Sequence, residues 1–148
     1  MGSRVARKGR SARSSRRSDL DAASMTPLVL LAEDDAPTRL RLSSLLRRDG
    51  FEVIEAKDGT ELLERLASTT ATSGTIVDLV IADLHGTPEN GLDLLGRVRE
   101  VDWATPMILF ADLGDPVLDQ EPEGLGTTLV FARPFDVEQI RSTVAYWT

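Results

Sequence analysis

The stretch Ile76–Gly91, with the sequence IVDLVIADLHGTPENG, decides the fold. Its first part, Ile76–Ala82, is a short run of closely spaced apolar residues, which is typical of a β-strand buried on both faces rather than of an amphipathic helix. The run ends at Asp83, and the glycines, proline and asparagine that follow indicate a loop. Asp83 is therefore expected at the carboxyl end of a central strand, where open α/β sheets bind their ligands. The alternative is that Asp83 only caps the next helix.

The composition is that of an ordinary folded domain. The 148 residues are 41% hydrophobic and 28% charged, and no apolar run is long enough to cross a membrane. The chain has no cysteine, which excludes disulfides and thiolate metal sites and fits a cytoplasmic location. A single histidine leaves little room for a histidine-based metal centre or a catalytic triad.

Charge is distributed unevenly along the chain. Residues 1–26 hold seven basic and two acidic groups, and because the whole chain carries −7, the remainder carries −12. The first 26 residues have almost no apolar side chains, so we expect a disordered basic tail followed by a folded domain at 27–148. An acidic domain is a poor candidate for binding nucleic acid. The tail is either a solvated extension or an arm for nucleic acids or membrane surfaces, and the native start is either Met1 or Met25.

Apolar runs and helical patterns alternate along the rest of the chain. Strands are predicted at Leu28–Ala32, Phe51–Glu55, Ile76–Ala82, Pro106–Phe110 and Thr127–Phe131. Helices are predicted after Asp35, around Leu62–Leu66, at Leu92–Glu100 and at Asp136–Tyr146. This alternation implies an α/β fold with a parallel sheet and helices on both faces.

Several local expectations complete this outline. The buried faces of the first and last helices are expected to hold Leu40, Leu42, Leu45 and Leu46, and Val137, Ile140, Val144 and Ala145, respectively. Ser68–Thr75 is predicted to be a polar loop. Ala111–Gly126 contains two prolines and three glycines, so any helix there should be short or broken.

Acidic residues follow two of the predicted strands. Glu33 and Asp34 end the first strand, and Asp83 ends the third. In a doubly wound sheet of order 2-1-3-4-5 these strands are neighbours, so the three carboxylates would converge. Like charges this close raise each other's pKa unless a cation lies among them, and hard oxygen ligands suit Mg²⁺. Helix capping is the alternative for Glu33 and Asp34, and Asp35 is expected to be a cap rather than a ligand.

Over residues 27–147 the sequence resembles the receiver domain of two-component response regulators, which has a flavodoxin-like, doubly wound, five-stranded parallel sheet. The segment LLAEDDAPTRLRLSSLLRRDGFEVIEAKDG resembles the first strand, first helix and second strand of that family. Asp83 stands where the family keeps its phospho-accepting aspartate, and Gly91 eight residues later also matches. Arg133-Pro134-Phe135 stands where the family has Lys-Pro-Phe, at the usual distance from Ala111.

The resemblance implies phosphoryl transfer to Asp83 from a histidine kinase or a histidine phosphotransfer protein. It also implies Mg²⁺ held by Glu33, Asp34, Asp83 and the backbone carbonyl of His85. Because the chain stops just after the last helix, output is expected through contact with a downstream protein, and a homodimer is compatible with this reading. The arginines of the first helix would suit a negatively charged partner; they are Arg39, Arg41, Arg47 and Arg48.

The sequence also departs from the family pattern. Ala111 replaces the threonine or serine whose hydroxyl contacts the phosphoryl group, and Val130 stands where an aromatic residue is common. Arg133 replaces the lysine, and its planar fork is not equivalent to an ammonium group. Asp112 is expected to repel the phosphate, and the ring of His85 is expected to face solvent.

Three functional hypotheses follow from these residues. The first is a receiver that is phosphorylated on Asp83, and the second is a pseudo-receiver that acts as a phosphorylation-independent interaction module. The third is a hydrolase or phosphatase with Asp83 as the nucleophile, although no second acid–base residue follows it in an Asp-x-Asp pair. The first is the preferred interpretation, in which the only chemistry is that of the chain's own aspartate.

Overall fold

One parallel sheet forms the centre of the molecule. The computed structural model describes residues 26–72, 76–85, 90–121 and 126–148, with only the backbone given for 70–72. The strands are β1 (Leu28–Glu33), β2 (Glu52–Ala56), β3 (Leu79–Asp83), β4 (Met107–Ala111) and β5 (Thr128–Ala132). Their order is β2-β1-β3-β4-β5 and all neighbours are parallel, which confirms the predicted doubly wound α/β fold. The predicted tail lies outside the described residues.

Helices cover both faces of the sheet. They are α1 (Ala36–Arg48), α2 (Gly59–Thr72), α3 (Gly91–Val101) and α4 (Val137–Trp147). Between β4 and β5 the described residues form only a single 3₁₀ turn, Pro116–Asp119, as the prolines and glycines of this connection predict. Among the described residues, no helix has the length and apolar character needed to span a membrane.

The core consists of two layers because successive strand side chains point to opposite faces. In β1, Val29 and Leu31 pack on the side of α1 and α4, whereas Leu30 and Ala32 pack on the side of α2, α3 and the 3₁₀ turn. Every residue of β1, β3 and β4 is buried. The continuous apolar runs in the sequence are therefore explained by burial on both faces of a parallel sheet.

Helix α1 starts and ends where local chemistry dictates. The carboxylate of Asp35 accepts a hydrogen bond from the backbone N–H of Thr38 at 3.1 Å, so Asp35 is the predicted N-cap. Pro37 occupies the first turn, where its missing N–H costs nothing. At the other end Gly50 has φ +101°, a conformation that favours glycine.

Some local predictions were wrong. Helix α2 continues through Ser68 to Thr72, because neither glycine nor proline interrupts the chain between Thr60 and Ser73. Strand β3 starts only at Leu79, three residues later than predicted, and extends to include Asp83. Two side chains expected in the core, Leu40 and Ala145, are exposed. In α4 the inward stripe instead ends with Trp147, one turn beyond Val144.

Arg99 on α3 ties the amino-terminal edge of the sheet together. The residue is buried, with only 7% of its surface exposed. Nη1 donates to the carbonyl oxygens of Asp102, Trp103 and Thr105, and Nη2 donates to the carbonyl oxygen of Thr127 and the hydroxyl of Thr128. One guanidinium thus links the end of α3 to the start of β5.

We expect Arg99→Ala to lower the free energy of unfolding by about 3 kcal/mol, because each buried carbonyl left without a donor costs about 1–3 kcal/mol. Urea denaturation followed by far-UV circular dichroism measures the change. Arg97→Ala, at an exposed position of the same helix, is the matched control and should change stability by less than about 0.5 kcal/mol. Equal effects of the two substitutions would contradict a structural role for Arg99.

Candidate functional site

Two carboxylates lie next to each other at the carboxyl edge of the sheet. Glu33 is the last residue of β1, Asp83 is the last residue of β3, and the two are paired in register. Both residues have no exposed surface. The parallel topology therefore places both acids in a buried position at the end of the two central strands, as the sequence predicted for this edge.

Burial changes the acidity of this pair. The pKa of Glu33 is raised from 4.5 to about 9, first by burial and then by the hydrogen bond and charge of Asp83. Unless a cation lies beside it, Glu33 therefore holds a proton at neutral pH. If both groups ionise, the pair carries two adjacent negative charges, which cations beside it would offset.

Asp34 and Asp35 point in different directions from the end of β1. The Oδ2 atom of Asp34 accepts a hydrogen bond from the backbone N–H of His85 at 2.8 Å, so Asp34 faces the end of β3. Asp35 instead caps α1, and its hydrogen bonds from Thr38 lower its pKa. The predicted cap at Asp35 is confirmed, and the metal-binding role of Asp34 stays a prediction.

The ring of His85 lies over the acidic residues rather than simply facing solvent. Its Nδ1 atom is 3.1 Å from Oδ1 of Asp34 and 3.9 Å from a carboxylate oxygen of Glu33. Its Nε2 atom is 3.7 Å from Oδ1 of Asp83, and the side chain is 50% exposed. The prediction of a solvent-facing ring was thus only half right, and the role predicted for the backbone carbonyl of His85 stays a prediction.

Arg133 is the basic residue of the site, and it contacts three groups at once. Nε donates to Oδ1 of Asp83 at 2.7 Å, Nη1 donates to Oδ1 of Asp112 at 3.0 Å, and Nη2 donates to the carbonyl oxygen of Leu84 at 3.2 Å. Burial alone would lower the pKa of Arg133, but the two carboxylates outweigh it and raise the pKa. A lysine has one nitrogen and could not reproduce this fork.

Asp112 has a different position from the one expected. Its carboxylate is an ion-pair partner of Arg133 and is 75% exposed. It therefore shares the guanidinium with Asp83, and its expected repulsion of the phosphate stays a prediction. Ala111, which precedes it, is buried at the end of β4 and offers no hydroxyl.

A cavity of about 320 Å³ lies beside Ala111. Its lining includes His85, Asn90, Asp115 and Arg133, and its apolar side is formed by residues of β4 and α3. The cavity reaches Arg133 on one side and Asp112, Gly114 and Asp115 of the connection after β4 on the other.

Asp115 holds the connection after β4 against the start of α3, and the sequence did not identify it as a candidate site residue. Its Oδ2 atom accepts a hydrogen bond from the backbone N–H of Gly91 at 2.6 Å, which ties the connection after β4 to the start of α3. A Cβ atom at Gly91 would lie 3.0 Å from Val117 and 3.1 Å from Asp115, so the close approach explains the glycine. The Asp115-Pro116 turn signal was visible in the sequence, but its partner 24 residues away was not.

The residues fit a divalent cation. Oε1 of Glu33 and Oδ2 of Asp83 are buried, and neither accepts a hydrogen bond from a donor within the described ranges. A proton shared between the two acids would satisfy these oxygens in part, whereas a cation would satisfy both. Ligand atoms of Glu33, Asp34 and His85 also lie within 4.8 Å of one another. Carboxylate oxygens are the ligands that Mg²⁺ prefers.

Comparison with known proteins identifies similar sequences. The family model "Response regulator receiver domain" matches residues 29–145. Sporulation initiation phosphotransferase F of Bacillus subtilis is 26% identical over 81% of this chain and 92% of its own length. Transcriptional regulatory protein CpxR of Escherichia coli is 31% identical over 76% of this chain, which spans only 45% of that regulator.

Solved structures give the same result. Chemotaxis protein CheY4 of Vibrio cholerae superimposes with a TM-score of 0.64 at 25% identity, covering 83% of this chain and 99% of that one. The receiver domain of the hybrid histidine kinase CckA gives a TM-score of 0.61 at 26% identity, covering 81% of this chain and 97% of that one. With its matched sequence, strand order and paired acids, the chain belongs to the response regulator receiver domain family.

Proposed function

We propose that the chain accepts a phosphoryl group on Asp83 from a histidine kinase or a histidine phosphotransfer protein. The observation that carries this proposal is the placement of the Asp83 carboxylate, which is buried beside Glu33 and bonded to Arg133 at 2.7 Å. Membership of the receiver family supports the same reaction. In the proposed step a carboxylate oxygen attacks phosphorus, and the bond between phosphorus and the donor's imidazole nitrogen breaks.

The residues around Asp83 have separate roles in this proposal. Glu33 and Asp34, together with Asp83, would hold Mg²⁺, which when bound neutralises charge on the phosphoryl oxygens. Arg133 carries the fixed positive charge on the other side of Asp83 and would contact the phosphoryl group. Because the Asp83 side chain is only 1% exposed, Arg133 or His85 must move aside before a donor can reach it.

The surface near the site suits an acidic donor. On α1, Arg39 and Arg47 are engaged by Glu55, and Arg39 also donates to the carbonyl oxygen of Glu33. Arg41 and Arg48 are exposed, so we propose that these two meet the phosphodonor. Output would follow through contact with a downstream protein in the cytoplasm, and the only chemistry would be phosphorylation and dephosphorylation of the chain's own aspartate.

A second candidate function is a pseudo-receiver that keeps the fold and acts as an interaction module. Two observations favour it: Ala111 cannot donate a hydrogen bond to a phosphoryl group, and Asp112 already competes for Arg133. Removing a hydrogen bond to a charged group forfeits about 1.5–3 kcal/mol. That loss is comparable with the whole of a typical allosteric coupling, about 1–3 kcal/mol.

Phosphorylation itself distinguishes the two functions. After incubation with phosphoramidate and Mg²⁺, intact mass spectrometry should show one added phosphoryl group. Asp83→Asn is the control and should stay unlabelled, as should the wild type in EDTA. Asp78→Asn, at an acid at the opposite edge of the sheet, should be labelled normally provided it folds. Absence of Mg²⁺-dependent labelling in the folded wild type would favour the pseudo-receiver.

The buried acid pair predicts a pH effect on stability. Because the pKa of Glu33 is raised to about 9, the folded chain keeps a proton between pH 4.5 and about 9 that the unfolded chain has lost. The stability contributed by the protonated form is full below pH 4.5 and declines as the pH rises towards 9. Glu33→Gln, which cannot ionise, should therefore gain stability relative to wild type as the pH rises. Urea titrations in EDTA at pH 5.5 and 8 test this, and a pH-independent difference would contradict it.

The residues Ala111 and Val130 predict which parts of the chain respond to phosphorylation. Ala111 has no hydroxyl that the phosphoryl group could attract, and Val130 has no ring that could move in response. We therefore expect beryllofluoride and Mg²⁺ to shift amide resonances near Asp83, Arg133 and the connection after β4. Residues of β5 and α4 should respond weakly. Ala111→Thr restores a hydroxyl and should extend the response across 128–147. Large, saturable shifts there in the wild type would show that coupling survives without the hydroxyl.

Asp112→Asn provides a second test of the same idea. Since Arg133 divides its donors between Asp83 and Asp112, removing the Asp112 charge should free the guanidinium for the phosphoryl group. Labelling by phosphoramidate should then be faster, and amides of 112–115 should shift even without phosphate. An unchanged rate would mean that the Asp112 contact does not limit the reaction.

A further inference from the structure

Both ring nitrogens of His85 face the acidic cluster. Nδ1 lies 3.1 Å from Asp34 and 3.9 Å from Glu33, and Nε2 lies 3.7 Å from Asp83. It is also the only histidine in the chain. Nδ1 lies within hydrogen-bonding distance of the Asp34 carboxylate, and an imidazole nitrogen can donate a hydrogen bond in one tautomer or bind a cation in the other.

The distances suit ligands that share one ion. Two donors on adjacent corners of an octahedron with bonds of about 2.1 Å lie about 3 Å apart. The separation between Nδ1 of His85 and Oδ1 of Asp34 is already 3.1 Å, and small side-chain rotations would bring in the oxygen of Glu33. The backbone N–H of His85 meanwhile fixes Asp34 through its other oxygen at 2.8 Å, as outer hydrogen bonds do around metal sites.

A second observation points independently to a cation at this place. Glu33 and Asp83 are completely buried, and each has a carboxylate oxygen that accepts no hydrogen bond from the described part of the chain. The other carboxylate oxygens of the two residues, Oε2 of Glu33 and Oδ1 of Asp83, lie 3.9 Å and 3.7 Å from the ring nitrogens of His85. A cation held by these carboxylates would therefore be within reach of the imidazole.

We propose that the imidazole of His85 is a direct ligand of the divalent cation, so that this receiver binds zinc-class ions such as Zn²⁺ and Co²⁺ with an added preference over Mg²⁺. Imidazole suits these ions, whereas Mg²⁺ prefers an all-oxygen shell. The inference rests on the proposed function, because the cation is the one that the Asp83 site would use. Ligation by His85 would determine which metal occupies the site and thereby which metal supports phosphorylation.

Nitrogen ligation can be measured without any phosphorylation. In tag-free protein loaded with Mn²⁺ as a spectroscopic probe, electron spin echo envelope modulation should show a directly coordinated ¹⁴N nucleus. His85→Phe keeps a ring without nitrogen and should abolish this signal. Because the chain has one histidine, no other imidazole can produce it. Absence of nitrogen coupling in the metal-loaded wild type would overturn the proposal.

Calorimetry gives the second readout. The ratio of Zn²⁺ to Mg²⁺ affinity should fall by about tenfold or more in His85→Phe, within the range typical of disturbed metal sites. Asp35→Asn removes a neighbouring charge but keeps a capping side chain, and should leave the ratio unchanged. An equal ratio in wild type and His85→Phe would also overturn the proposal.

The two proposals fail separately. If Asp83 is labelled in the presence of Mg²⁺ but the nitrogen signal is missing, the His85 assignment is wrong and the phosphoacceptor function stands. If the nitrogen signal is present but Asp83 takes no phosphoryl group with Mg²⁺, Zn²⁺ or Mn²⁺, the metal site is as proposed and the receiver does not act as a phosphoacceptor.

Discussion

The contact between Glu33 and Asp83 is the constraint on which the site depends. The register of two neighbouring parallel strands places both carboxylates side by side with no exposed surface. A buried charge is tolerated only when it is paired, and two buried like charges demand cations around them. Arg133, which follows β5, hydrogen-bonds Asp83, and the carboxylate oxygens without a donor among the described residues are where the proposed cation would bind. The sheet topology thus determines the chemistry at its edge.

Much of the fold could be predicted because it depends on local patterns. Apolar runs marked the buried strands, Asp35 and Pro37 marked the start of α1, and glycines and prolines marked the irregular connection after β4. The convergence of Glu33 and Asp83 was also predictable, since parallel strands bring their carboxyl ends to the same edge. The limits of helices were less predictable, because the serines and threonines at the end of α2 permit either state.

Several contacts of the site could not be predicted, because they join residues far apart in sequence. The ring of His85 lies over Asp34, 51 residues away, and Arg133 reaches both Asp83 and Asp112. No periodicity encodes such side-chain pairs. Arg99 was likewise unremarkable in the sequence, although its guanidinium satisfies five groups at the opposite edge of the sheet.

Aromatic packing explains why the two faces of the sheet differ. Phe110 stacks on Phe131 with ring centroids 5.6 Å apart and contacts Phe135 at 4.5 Å, all on the side of α1 and α4. The opposite face near the site is lined by smaller side chains, among them Ala111 and Val130. Phe110 also lines the cavity beside Ala111, so the aromatic cluster and the cavity meet at β4.

The anchoring of β5 by Arg99 has a consequence for how this protein can evolve. Near its start, the segment between β4 and β5 is held by the hydrogen bond from Gly91 to Asp115. At its end, it is held by the hydrogen bonds from Arg99 to Thr127 and Thr128. The order of the strands therefore does not depend on a long helix in that connection. Substitutions in this connection that spare Asp115 and Val117 can therefore alter a binding surface without disturbing the strand register that pairs Glu33 with Asp83.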